Sequence, residues 1–166
     1  MTTTWTLDPS GHEVAFAHKT YWGLSTVRGV FRTVRADGVL ADDGEGEGTV
    51  IVETASIDTG NTQRDTHLRS DAFFDVAYFP TMEFVADRVG PVTPDSSEVR
   101  VEGTLTVRDT VKPLTFIAHA DRLGDTVTLN ATIPYDREEF GMTWNRLGTM
   151  AAKGEISLKL RFTRRG

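Results

Sequence analysis

Residues 97–108 read SEVRVEGTLTVR, and their alternation decides the fold class. Val99, Val101, Leu105 and Val107 fall on one face, and Arg100, Glu102, Thr104 and Thr106 fall on the other. Successive side chains of a strand point to opposite sides, so such a segment has one dry and one wet face, as in an antiparallel sheet. DTVTLNATI (125–133) repeats the pattern, setting Val127, Leu129, Ala131 and Ile133 against threonines and Asn130. GEISLKLRF (154–162) does so again with Ile156, Leu158, Leu160 and Phe162. Weaker strand signals lie at about 4–7, 13–19, 25–40, 48–57, 82–90 and 112–122. ADDGEGEG at 41–48 and VGPVTPDSSE at 89–98 read as hairpin loops. Eight or nine strands spaced this way predict a sandwich or a closed up-and-down barrel. With no repeat, linker or low-complexity stretch, one domain is expected over residues 1–166.

One region breaks the period. TGNTQRDTHLRSDAFF (59–74) reads as a short helix entered from a turn, with Thr62 and Asp65 at capping-box spacing. Asp65 with Arg69, and His67 with Asp71, would then be i,i+4 neighbours.

The 166 residues contain no cysteine, which removes disulfides, thiolate metal sites and cysteine nucleophiles together. A formal net charge of −6 argues against a nucleic-acid or anionic-membrane partner. The opening MTTTWTLDPSGHEV has no basic n-region or apolar h-region, and no apolar run is long enough to cross a bilayer. The expected location is therefore the cytoplasm.

The cluster RDTHLRSDAFFD (64–75) admits two readings. His67 oriented by Asp71 would make a general base. The alternative, which the absence of an attached nucleophile favours, is that the charged groups pin the helix and the Phe73–Phe74 pair across a barrel mouth. The histidines at 12, 18, 67 and 119 lack zinc-site spacing, so no metal and no other cofactor is expected. GEGEG (44–48) lacks the lysine of a phosphate loop, and its glutamates would repel phosphate. The adjacent Glu138 and Glu139 do not make a glycosidase pair. Aromatic residues are spread over nearly every segment. Inside a small barrel they either fill the core or line a cavity for one ligand.

At this point the chain resembles the YceI family. WTLDPSGHEVAFAHKTYWGLSTVRGVF carries the aspartate-proline-x-x-histidine start and the STVRG turn into Phe31. VETASIDTGNTQRDTHLRSDAFFDVAYFPTMEF is the most specific block, followed by VEGTLTVRDTVKPLTF and the late YDREEFGMTWN. The resemblance implies an all-β, extended antiparallel eight-stranded lipocalin-like barrel with one short helix beside it. It further implies a hollow interior holding a polyisoprenoid or long-chain quinone. Many family members are periplasmic, whereas this chain shows no leader. Tyr21 and Trp22 stand where many relatives carry a lysine–histidine pair.

The leading expectation is a binding or carrier protein for an isoprenoid-type lipid. Phe16, Phe31, Phe73, Phe84, Leu105, Leu114, Phe116, Leu129, Phe140, Met142 and Trp144 are the candidate cavity wall. His18, Arg28, Lys112 and Arg137 are the candidate polar end. No residue is assigned a catalytic role. The competing expectations are an enzyme acting on such a lipid through His18 or His67, and a filled barrel serving as a ligand-free stress or interaction module. The resemblance leaves a homodimer open.

Overall fold

The computed structural model describes residues 2–145 and 148–165. Ten strands form one antiparallel sheet: β1 (Thr2–Thr20), β2 (Ser25–Phe31), β3 (Val34–Ala41), β4 (Gly46–Glu53), β5 (Ile57–Asp58), β6 (Thr81–Pro91), β7 (Glu98–Val107), β8 (Thr110–Leu123), β9 (Thr126–Asp136) and β10 (Met150–Arg165). The order β10-β9-β8-β7-β6-β4-β3-β1 closes because β1 also pairs β10, giving an eight-stranded barrel; β2 and β5 extend it at one end. The alternating segments are its long strands, and their dry faces point inward. Hairpin turns at 42–45, 92–97 and 124–125 gather at one end of the barrel. The helix and residues 137–145 cover the other.

Two expected strands at 4–7 and 13–19 are one strand, β1, carrying a bulge. Leu7 pairs Phe162 and His12 pairs Leu160, so four residues of β1 stand opposite Arg161 alone. Asp8 accepts from the Ser10 amide at 2.9 Å and from Arg161 Nη2 at 2.7 Å and Nε at 3.1 Å, which fixes the bulge. These bonds hold the exposed Asp8 carboxyl near pKa 2. Conversely, the expected strand at 25–40 is two strands, broken at Arg32 and Thr33, where the chain bends. β1 pairs β3 through Thr2–Thr6 and β2 through Val14–Thr20, leaving a seam between the two ladders. That seam is filled: Leu7, Val14, Val34, Ala36 and Leu160 belong to one buried cluster.

A second seam lies between β8 and β9. Their ladder covers only His119–Leu123 and Thr126–Asn130. Toward the helix end, Thr110–Ala118 keeps its β7 partner and Ala131–Asp136 its β10 partner. Pro113 and Pro134 sit in these half-paired stretches, where a residue without an N–H costs the sheet least.

The helix α1 spans Thr62–Arg69. Its cap is Asn61, one residue before the expected Thr62, and the Asn61 side chain accepts from the Arg64 amide at 2.9 Å. Nor do the expected i,i+4 pairs organise it. Asp65 Oδ1 accepts from the Thr59 amide at 3.0 Å and the Thr59 hydroxyl at 2.6 Å, while Arg69 donates to the carbonyls of Ala55 and Ile57, both at 2.9 Å. Buried backbone groups at a strand end need partners more than exposed charges do, so they take these side chains. The helix is thereby tied to β5, and Leu68, Phe73 and Phe74 are packed into the barrel end. Among the described residues no helix is long and apolar enough to cross a membrane.

Candidate functional site: a barrel cavity with a lateral slit

A cavity of about 860 Å³ runs inside the barrel, within the usual range for a small-molecule site. Its wall is built by the dry faces: Phe84 from β6, Leu105 from β7, Leu114 and Phe116 from β8, Leu129 from β9, and Ile156 and Leu158 from β10. The Phe84 and Phe116 rings meet at 5.7 Å. On β3 and β4 the inward positions Gly38, Gly46 and Gly48 carry no side chain, which widens the space beside them. A Cβ at Gly38 would lie 2.7 Å from the Glu47 carbonyl oxygen and one at Gly48 2.7 Å from that of Asp37, so larger residues do not fit there without moving backbone.

The helix end is a packed floor. Phe16, Phe31 and Phe74 form a chain of ring contacts at 5.8 and 5.5 Å, joined by Leu68, Phe73, Phe140 and Met142. Three polar groups stand on this floor. His18 is 6% exposed, its ring stacked on Phe16, and no hydrogen-bond partner is described for it. Burial pulls its pKa down to about 4, with the Arg137 and Arg64 charges adding to the shift, so the imidazole is neutral at physiological pH. It then offers one N–H donor and one lone-pair acceptor. Tyr135 lies across Gly154, where a Cβ would come within 2.5 Å of the phenol oxygen. Burial raises its pKa to about 12 and keeps the hydroxyl protonated. Arg137 is 3% exposed and donates to the carbonyls of Met142, Trp144, Met150 and Ala151 at 2.5–3.2 Å. Four of its five N–H groups are used on backbone, so its main effect is to hold Met142, Trp144, Met150 and Ala151 at the floor.

Exposed residues on the wall show where the cavity reaches the surface only where no ladder closes the wall. Asp37 and Glu47 are exposed as well, but they stand on the fully paired β3–β4 ladder, whereas the helix-end halves of β8 and β9 are not paired with each other. Asp95 and Arg122 mark the hairpin end. Lys112, Pro113, Pro134 and Glu139 mark the β8–β9 seam, which is therefore a lateral slit.

The structure brings ten of the eleven expected wall residues onto the cavity, all except Trp144. Trp144 is 41% exposed and stacks edge-on against His67 at 4.4 Å, outside the cavity. It follows the 3₁₀ turn Arg137–Phe140 in a stretch without strand pairing, so no periodicity fixed its direction. Of the expected polar end, His18, Lys112 and Arg137 reach the cavity. Arg28 does not: β2 alternates, and with Val27 and Gly29 buried inward its side chain faces solvent. His67 contacts Phe73 at 5.2 Å and Trp144 rather than a carboxylate, in keeping with the pinning reading of the charged cluster. The sequence reading missed Tyr135 and the inward glycines. Tyr135 continues the face of Val127, Leu129, Ala131 and Ile133, so period two already pointed to it.

Comparison with known proteins places this geometry. The YceI-like domain model matches residues 5–163. The UPF0312 protein of Shewanella denitrificans is 35% identical over 83 residues, half of this chain and 41% of the relative. Protein YceI of Escherichia coli is 33% identical over 107 residues, 62% of this chain and 53% of the relative. The aligned regions thus span about half the length of these curated relatives. Among solved structures, BcnA of Burkholderia cenocepacia superposes with a TM-score of 0.84 at 19% identity, covering 93% of this chain and 98% of that one. A polyisoprenoid-binding domain from Saccharophagus degradans gives 0.76 at 12% identity, covering 97% and 98%. The Campylobacter jejuni YceI protein gives 0.76 at 20%, covering 86% and 87%. A family match across nearly the whole barrel, with that barrel shared by solved relatives, makes the chain a member of the YceI-like family.

Proposed function

We propose that this protein binds one elongated isoprenoid-type lipid in the barrel cavity, as a carrier or reservoir rather than as an enzyme. The observation that carries the reading is the cavity itself, a chamber of about 860 Å³ walled mainly by aliphatic and aromatic side chains, with His18, Tyr135 and Arg137 on its floor. Each methylene removed from water there contributes about 0.8 kcal/mol, so a prenyl tail supplies affinity and the floor supplies orientation. His18 and Tyr135, both neutral, suit a carbonyl or hydroxyl oxygen. A phosphate would find Arg137 already committed to backbone carbonyls. That favours a quinone or prenol head over a prenyl phosphate. A solved relative described as a polyisoprenoid-binding domain supports the class of ligand.

Native mass spectrometry of freshly purified protein, with organic extraction of what it releases, tests the reading. One prenyl lipid per chain is expected. Leu129→Trp, which fills the cavity, should fold and lose at least ten-fold in lipid occupancy. Bare protein that also stays bare after incubation with quinones and prenols would overturn the proposal.

A further inference from the structure

Six large apolar side chains stand exposed around the helix-end rim of the barrel: Tyr21, Trp22, Leu24, Tyr78, Val111 and Trp144. The β1–β2 turn is the sharpest case. Tyr21 and Trp22 have φ of 49° and 55°, followed by Gly23 at 92°. Left-handed backbone is unfavourable for side chains of this size, and turns that need it ordinarily use glycine or asparagine. Here two aromatics occupy it, and the outcome is a projecting tip with Trp22 76% and Leu24 87% exposed. An observed outlier of this kind is grounds for asking what the tip touches.

Its position answers. Thr20 pairs both Ser25 and Met150, and Lys153 of β10 pairs Asp136 of β9. Strands lie about 4.8 Å apart, so the tip stands on the order of 10 Å around the rim from the β9 edge of the slit. Val111 stands beside the β8 edge. The apolar rim therefore brackets the opening of a cavity lined for a prenyl chain.

We propose that this rim docks on a bilayer interface and sets the β8–β9 slit against it, so that a prenyl lipid passes sideways between membrane and cavity. The proposal rests on the lipid-binding reading above. Tryptophan and tyrosine are the residues that favour the membrane–water interface, and leucine beside them enters the acyl boundary. Charges at this rim are mixed, Lys19, Arg108, Lys112 and Lys153 against Asp109, Asp136, Glu138 and Glu139, and the chain carries −6 overall, so a zwitterionic surface is the fitting partner. A second copy of the chain fits less well. The six side chains come from four separate elements around an opening: the β1–β2 turn, the stretch before β6, the start of β8 and the stretch after the 3₁₀ turn. Each partner of a stable interface instead buries one continuous face of roughly 800 Å².

The test is flotation with phosphatidylcholine vesicles, comparing the natural chain with Trp22→Ser/Leu24→Ser. Leu123→Ser at the hairpin end is the control. The natural chain and the control should float with the vesicles, and the double variant should partition at least ten-fold more weakly with unchanged thermal unfolding. It should also take up an octaprenyl quinone normally from ethanol but slowly from vesicles. No partitioning by the natural chain, or equal partitioning by the double variant, would overturn the proposal. So would a double variant whose main change is dissociation of a dimer in solution. Failure of all three chains to take up the quinone from ethanol, with vesicle binding intact, would remove the cavity reading and leave the docking surface standing.

Discussion

Two of the long gaps in the barrel's ladders, between β1 and the β2–β3 pair and between β8 and β9, are built differently. Between β1 and the β2–β3 pair, the missing hydrogen bonds are covered by Leu7, Val14, Val34, Ala36 and Leu160, which interlock as core. Between β8 and β9, the missing bonds open onto the cavity, and the inward residues Leu114 and Phe116 are only half-buried. A closed barrel can spend unpaired backbone in either way. Where apolar volume fills the gap, the interruption stabilises a bend; where it does not, the interruption is a door. Bulk makes the difference more than strand propensity, since both seams are flanked by residues that favour strands.

The contrast is broken most forcefully at the packed seam. Leu7 is 6% exposed and belongs to the buried cluster without lining the cavity. Leu7→Ala should cost about 3 kcal/mol, from lost transfer energy plus the void left behind. Urea denaturation would show this as a lower midpoint at constant slope. Lipid occupancy of the folded protein should be unchanged. A loss below 1 kcal/mol would mean the two seams are packed alike.

The faces of the walls were legible in the sequence, because Val99, Val101, Leu105 and Val107, or Val127, Leu129, Ala131 and Ile133, state their common side by period alone. Which strand sits next to which was not, since alternation says nothing about pairing. The break at Arg32–Thr33 and the bulge at Asp8–Gly11 were hidden for the same reason: both shift register locally without disturbing the apolar count. Arg28 was misplaced because STVRG offers only Val27 and Val30 as apolar markers, and they lie on opposite faces. The slit did leave a trace. Pro113 and Pro134 lie in otherwise strand-like runs, and a proline in such a run marks an unpaired edge.

How dry the cavity floor is beside that door can be read from His18. With its folded pKa near 4 and an ordinary unfolded value near 6.5, the unfolded chain takes up a proton first as pH falls. Stability is then lost between about pH 6.5 and 4, by up to about 3 kcal/mol from this group, and the loss levels off below the folded value. His18→Gln should flatten that part of the stability–pH curve. The Asp8 contribution lies lower, present above its ordinary carboxylate pKa and lost as pH falls toward about 2, so the two windows are separable. An unchanged slope in His18→Gln would mean that water entering through the slit solvates the floor.

The smallest stability effect belongs to the slit wall. Phe116 lines the cavity, half-buried, with the Phe84 ring as its described aromatic contact at 5.7 Å. Truncating it enlarges a space that already exists, so there is no new void to penalise, and the ring pair itself is worth about 1 kcal/mol. Phe116→Ala should therefore lower stability by about 1 kcal/mol in the same urea experiment while speeding release of bound prenyl lipid several-fold, because the ring stands beside the exit. Two measurements on one variant then separate a wall from a core. A loss of about 3 kcal/mol, matching Leu7→Ala, would show that the β8–β9 seam is held shut by packing and is no door at all.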